Sequence, residues 1–297
     1  MKTTRWALIF ALVLGLFVAA CGDDEEEPAS GDASEQAADV EQFPEDTTMG
    51  KIQAAGEIKI GVKYDVPPFG FKNPQTNEIE GFDVDFGKAI AAKLGVEPEF
   101  IEAISDNRIP FLQDGTVDIV LSTMTINAER AQEIGFSEPY YIARGRILVP
   151  QDSDIAGIDD LGGKKVCTAL GSTYEETLKE QAPEADLSLV DSYSECLELV
   201  QNGAVDAVST DDVILTGMII QDDTLKLTEG EPLTTEPYGA GLKNNDTEFK
   251  DFVDGVLEEY KSDGGWAESY EKWVGQYTGE QQDPPTMTLQ EAIEATS

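Results

Sequence analysis

Apolar and polar positions recur along this chain at two periods, and the switches between them predict its elements. EIKIGV (57–62) alternates and predicts a strand. Pro67 and Pro68 forbid its continuation, so 63–73 reads as a loop. FDVDFGKAIAAKL (82–94) spaces its apolar residues three and four apart and stops at Gly95, as a helix does, with Asp83 and Asp85 read as acids at its N-terminus. Strand, helix and strand repeat over 97–101, 107–113 and 117–121. Such βαβ units imply a largely parallel sheet. Extended segments at 140–149 and 235–242 bracket a block with its own alternation: strands at 164–170, 187–190 and 205–209, helices at 172–181, 192–203 and 211–221. A chain that leaves one sheet, builds a second and returns makes two lobes joined by two strands. Amphipathic helices follow at 246–262 and 266–273, with Val253, Val256, Leu257 and Tyr260 at core spacing and Trp266, Tyr270 and Trp273 expected to pack on the first lobe. The residues after Tyr277 are polar and read as a frayed tail.

The N-terminus departs from this pattern. Lys2 and Arg5 precede an uninterrupted apolar run from Trp6 to Ala20, too short for a comfortable membrane span, and Cys21 follows. Residues 22–50 hold eleven acids and no base, so residues 21–56 read as an extended, solvated tether. Residues 51–278 hold 44 acids against 18 bases, a charge near −26. That field excludes nucleic acid and anionic lipid surfaces as partners. The chain has no histidine, which removes Ser-His-Asp and Cys-His nucleophiles and histidine-bound zinc; no cofactor or metal is expected. Asp83 and Asp85 lack the glycine and distal glutamate of a calcium loop.

The stretch LSTMTINAERAQEIGFSEPYY (121–141) carries the candidate chemistry. Ser122, Thr123 and Thr125 emerge at the carboxyl end of an apolar strand, where open α/β sheets bind ligands, and Arg130 follows closely enough to swing its guanidinium over them. A planar fork suits a carboxylate. GSTYEE (171–176) opens a helix, so the amides at Ser172 and Thr173 also face negative charge, while Thr173 with Glu176 fits a capping box.

Together with GFDVDFGKAIAAKLG (81–95), DNRIPFLQDGTVDIV (106–120) and VDAVSTD (205–211), this stretch resembles the polar-amino-acid solute-binding proteins of ABC importers, with motifs in order from about Glu57 to Tyr277. The likeness is strongest to glutamate and glutamate–aspartate binders. It implies a two-lobed type II periplasmic-binding fold, α/β, with two largely parallel sheets, flanking helices and a two-strand hinge. Lobe 1 would comprise 57–142 and 238–278, lobe 2 143–237, and the tail 279–297. The resemblance implies Arg130 with Thr125, Ser172 and Thr173 as the seat for an α-carboxylate, and Asp211 with Thr123 for the ammonium; Asp212 competes as a solvated or capping acid. It places basic residues at Lys63 and Arg108 to select an acidic side chain, against the alternative of surface bases paired with Asp65 or Asp106. Val66 stands where other binders put a stacking aromatic, which argues against a basic ligand. VAAC (18–21) resembles a lipobox, so residues 1–20 read as a signal peptide and Cys21 as lipidated. Cys167 and Cys196 then remain as an even pair in an oxidising compartment, and glutamate-binding proteins of actinobacterial type carry cysteines at both places; a disulfide is expected.

The expectation is a monomeric, extracytoplasmic lipoprotein, held to the membrane by its lipid alone, that passes L-glutamate or L-aspartate to the transmembrane subunits of an ABC permease. Glutamine or another polar amino acid is the alternative ligand. An enzyme of the same fold, dehydratase-like, would need a carboxyl of raised pKa in the cleft.

Overall fold

Residues 40–296 are described in this computed structural model; the expected signal peptide, Cys21 and most of the expected tether lie outside them. The first lobe opens with α1 (Thr48–Ala55) and β1 (Glu57–Val62), then a small antiparallel sheet of β2 (Asp65–Val66), β3 (Gly70–Lys72) and β4 (Ile79–Glu80). It continues through α2 (Phe82–Leu94), β5 (Glu97–Glu102), α3 (Arg108–Asp114), β6 (Ile119–Val120), α4 (Arg130–Glu133) and β7 (Gly135–Phe136). β8 (Tyr141–Pro150) crosses to the second lobe, built from β9 (Lys165–Ala169), α5 (Thr173–Gln181), β10 (Asp186–Val190), α6 (Tyr193–Gln201), β11 (Ala207–Asp211), α7 (Asp212–Gln221) and β12 (Leu225–Leu227). β13 (Thr235–Tyr238) returns to β14 (Gly241–Leu242), α8 (Thr247–Ser262), α9 (Gly265–Tyr270), α10 (Gln276–Thr278) and α11 (Leu289–Ala295).

This is the type II periplasmic-binding fold, but its sheets are mixed rather than largely parallel. In lobe 1, ordered β5-β1-β6-β14-β7, only β1 with β5 and β6 is parallel; β14 runs antiparallel to β6 and β7. In lobe 2, ordered β10-β9-β11-β8-β12, β9 is parallel to β10 and β11, and β8 is antiparallel to β11 and β12. The cause is the hinge: a chain that crosses between lobes and returns must insert a reversed strand into each sheet. β8 does both jobs, pairing β13 at Tyr141–Arg144 and β11 and β12 further on.

Two segments read as irregular are helices. Residues 48–55 form α1, where Thr47 accepts the Gly50 N–H at 3.0 Å and Met49 and Ile52 are buried. Within the expected tail, α11 starts on a reciprocal Thr288–Glu291 capping box and packs on Leu112, Met124, Ile126 and Phe136 through buried Ala292, flanked by Leu289 and Ile293. Each carries only two or three apolar anchors, too few for periodicity to register.

Trp266 packs on lobe 1 as expected, fully buried, with its indole N–H donating to the Tyr140 carbonyl at 2.7 Å. Cys167 on β9 and Cys196 on α6 form a disulfide with Cα atoms 5.5 Å apart. Closing that 29-residue separation stabilises lobe 2 by about 3–4 kcal/mol on the chain-entropy account. Among the described residues, no helix is long and apolar enough to cross a membrane.

Candidate functional site

Strand ends from both lobes bring Arg108, Thr123, Thr125 and Arg130 opposite Ser172, Thr173, Tyr193 and Asp211 around one narrow cavity. From lobe 1, the carboxyl end of β6 delivers Ser122, Thr123 and Thr125, and α4 swings Arg130 back so that Nη1 donates to the Thr125 carbonyl at 2.8 Å. Arg108 opens α3; its Nε donates to the Ser105 carbonyl at 3.0 Å, and Nη1 to the carbonyls of Ser122 and Thr123 at 3.0 and 3.1 Å. Both guanidiniums then cross to lobe 2 and donate to the Gly171 carbonyl, Arg108 at 3.3 Å and Arg130 at 3.1 Å. Gly171 has φ +72°, and a Cβ there would meet the Asp106 Cα at 2.7 Å, so only glycine lets the two backbones approach this closely.

Lys63 closes the group at the end of β1. It is 1 % exposed, donates from Nζ to Ser105 Oγ at 2.7 Å and lies 5.5 Å over the Tyr193 ring. It is therefore not a surface base. Six ion pairs within 4.0 Å occur among the described residues, and none involves Lys63, Arg108 or Arg130. Three buried cations share a site with no carboxylate in direct contact, and their pKa values respond. Burial, then the charge of Arg108, lowers Lys63 to about 7. Burial, then the charge of Arg130, lowers Arg108 to about 9. Burial likewise lowers Arg130, with Glu236 pulling the other way.

From lobe 2, Asp211 ends β11 and faces the cavity, accepting the Tyr174 hydroxyl at 2.9 Å. Burial, then the charge of Glu236, raises its pKa well above the usual carboxylate range. Asp212 instead turns to the hinge and accepts the Arg144 N–H at 3.2 Å. The Thr173–Glu176 capping box does not form: Ser172 is the N-cap of α5, and the Thr173 hydroxyl donates to Glu236 at 3.0 Å.

Nothing in the sequence singles out Glu236. It lies on hinge strand β13, 2 % exposed, and one carboxylate oxygen takes the hydroxyl of Thr125 from lobe 1 at 2.6 Å as well as that of Thr173 from lobe 2. Each hydroxyl has one proton, so both now offer lone pairs to the cavity. Tyr193, Tyr174 and Ser105 were also missed; Tyr174 is the one with a local signal, as it directly follows Thr173. The remaining sequence-predicted positions, Lys63, Arg108, Thr123, Thr125, Arg130, Ser172, Thr173 and Asp211, converge here. As a whole, the arrangement sets guanidinium donors from lobe 1 opposite the Asp211 carboxyl of lobe 2.

Residues 58–276 match the bacterial extracellular solute-binding proteins, family 3. The chain is 38% identical over 270 residues to the ABC transporter glutamine-binding protein GlnH of Bacillus subtilis, a match covering 90% of this chain and 94% of that one. It is 32% identical over 284 residues to the glutamate-binding protein GluB of Corynebacterium efficiens, covering 91% and 88%. Among solved structures, an ancestral arginine-binding protein bound to glutamine superposes with a TM-score of 0.71 at 38% identity, covering 74% of this chain and 98% of that one.

Proposed function

The chain belongs to the bacterial extracellular solute-binding proteins of family 3, and from that premise we propose that it captures an acidic amino acid, L-glutamate or L-aspartate, between its lobes. Proteins of this family are extracytoplasmic, bind amino acids and deliver them to ABC permeases. The observation that supports an acidic ligand is the convergence of Lys63, Arg108 and Arg130, buried and without a carboxylate within 4.0 Å, against the single cavity-facing acid Asp211. A ligand with two carboxylates and one ammonium matches that inventory.

In this reading Arg130 and the amide end of α5 at Ser172 and Thr173 take the α-carboxylate, while Thr125 and Thr173 accept through their hydroxyl oxygens. Asp211 and the Thr123 carbonyl take the ammonium. Arg108 and Lys63 take the side-chain carboxylate, with binding and no turnover. A lipid on Cys21 would hold the monomer at the membrane next to its permease, and the mass of the N-terminal proteolytic peptide from cells tests that anchor.

Glutamine is the second reading, favoured by the higher identity to GlnH and by the glutamine-bound ancestral structure. Calorimetric titration of residues 22–297 with each of the twenty amino acids decides between them. Glutamate or aspartate should bind at least tenfold more tightly than glutamine and be recovered with unchanged mass. The reverse order would establish the glutamine reading, a changed ligand mass would mark an enzyme, and silence to all twenty would sink both binding readings.

A further inference from the structure

Thr123 has φ +46°, in a region that a β-branched residue enters only under strain. What holds it there is Asp83. One carboxylate oxygen of Asp83 accepts the Thr123 N–H at 2.9 Å, and the other accepts the Tyr140 hydroxyl at 2.8 Å. Asp83 is fully buried although it stands in the first turn of α2, whose N-cap is Gly81, a residue with no side chain to cap with. Asp85, one turn face away, takes a surface role and accepts the Trp273 indole N–H at 2.6 Å. The sequence pairs the two acids as helix-start residues, but only Asp83 leaves the helix end for the interior.

We propose that Asp83 is a positioning residue for ligand capture: its carboxylate holds Thr123 in the left-handed turn that presents two backbone carbonyls to Arg108. Those carbonyls, Ser122 and Thr123, both meet Arg108 Nη1, and no side-chain carboxylate does so in their place. Burying an anion is costly, and the two hydrogen bonds offset part of that cost. Here they fix the geometry of a guanidinium 25 residues away in sequence. The consequence for glutamate rests on the reading of Arg108 as a ligand-binding group; the orientation of Arg108 does not.

The experiment therefore has a readout independent of any ligand. In ¹⁵N spectra of the full chain, the Arg108 Nε–H is assigned by its loss in Arg108→Lys, and its hydrogen-exchange rate is measured in parent and Asp83→Ala. Alanine removes both acceptor oxygens and leaves the Thr123 N–H without its partner, so exchange at Arg108 should accelerate at least tenfold. Tyr140→Phe, which spares the Thr123 bond, should leave it within twofold. Glutamate affinity should fall at least tenfold in Asp83→Ala and glutamine affinity less than threefold. Thr123→Gly accepts the positive φ without strain, so Asp83→Ala should cost less than half as much, on a logarithmic scale, in that background.

Exchange within twofold of parent in folded Asp83→Ala overturns the proposal. If Asp83→Ala alone fails to fold, the double variant decides: native-like exchange supports the proposal, and failure of both to fold overturns it, since glycine removes the strain assigned to Thr123. A parent that binds no amino acid sinks the functional reading and leaves the exchange result to decide the role of Asp83.

Discussion

Lys63 is an ammonium held against a serine hydroxyl and a tyrosine ring, with its pKa pulled down to about 7 by burial and by Arg108. A ligand carboxylate beside it would raise that value again, so binding takes up a proton at any pH between about 7 and the raised pKa. Glutamate affinity should then fall as pH rises above 7, by up to about tenfold per unit, while glutamine affinity stays nearly flat. Lys63→Met should flatten the glutamate profile. The same depressed pKa means the unfolded chain holds more protons between about 7 and the ordinary 10.5, so this group's contribution to stability rises with pH over that window. Asp83, raised to about 7 by burial, acts below it: the folded state holds more protons than the unfolded one from its ordinary 3.8 upward, so stability falls as pH rises toward 7. Affinity measured from pH 7 to 8, below the value of about 9 for Arg108, reads Lys63, and equal slopes for glutamate and glutamine would remove it from the side-chain pocket. The two guanidiniums separate in the same assay. Arg130→Ala should cost every amino acid about 3–5 kcal/mol, whereas Arg108→Ala should chiefly erase the preference for acidic over neutral ligands. Ser122, Thr123 and Thr125 were legible because they follow a strand end, which periodicity locates, whereas Lys63, Arg108 and Asp211 were reached through the family resemblance. Glu236 was not, because nothing local distinguishes an acid inside a hinge strand from an exposed one; its partners, Thr125 and Thr173, lie 111 and 63 residues away.

At the scale of elements, the alternation of periods located the longer strands and helices of both lobes between 57 and 262, passed over the two- and three-residue strands β2, β3, β4, β7 and β12, and failed where a helix depends on one docking site rather than on a stripe. α11 is such a case. Its seven residues bury Ala292 against the cluster that backs Met124 and Ile126, and Thr296 donates to the Ile126 carbonyl at 3.0 Å, so the C-terminal segment braces the loop that carries Thr125. A carboxylate at 292 would have to be desolvated without a partner or force the helix off. Ala292→Asp should therefore lower stability by about 2 kcal/mol or more in denaturant titration and weaken ligand binding in the same variant. A loss of stability with unchanged affinity would limit α11 to a structural role.

For the molecule as a whole, the question is what permits the lobes to shut. Among the places where they meet, Ser194 on α6 donates its N–H to Asp65 at 3.0 Å, Gly171 meets the Arg108–Asp106 corner, and Gly217 on α7 lies against the Pro67–Pro68 loop. The last is the tightest, since a Cβ on Gly217 would sit 1.7 Å from the Pro67 carbonyl oxygen. That oxygen belongs to the backbone of a loop packed on lobe 1, so it cannot swing aside as a side chain would. Within its own helix, alanine at 217 should be tolerated and slightly favourable. The methyl group therefore penalises only the closed arrangement, and the lobes should remain apart. Gly217→Ala should weaken glutamate binding by at least 30-fold, about 2 kcal/mol, because affinity is reduced by the fraction of molecules able to close. In saturating glutamate its radius of gyration by X-ray scattering should stay above that of the parent, while its melting temperature measured without ligand should hold within about 2 °C. Gly255→Ala on α8, where a Cβ meets nothing within 4 Å, is the matched control and should bind as the parent does. If Gly217→Ala also binds as the parent, the Pro67 contact yields more readily than its geometry implies, and closure is set by the Gly171 corner instead.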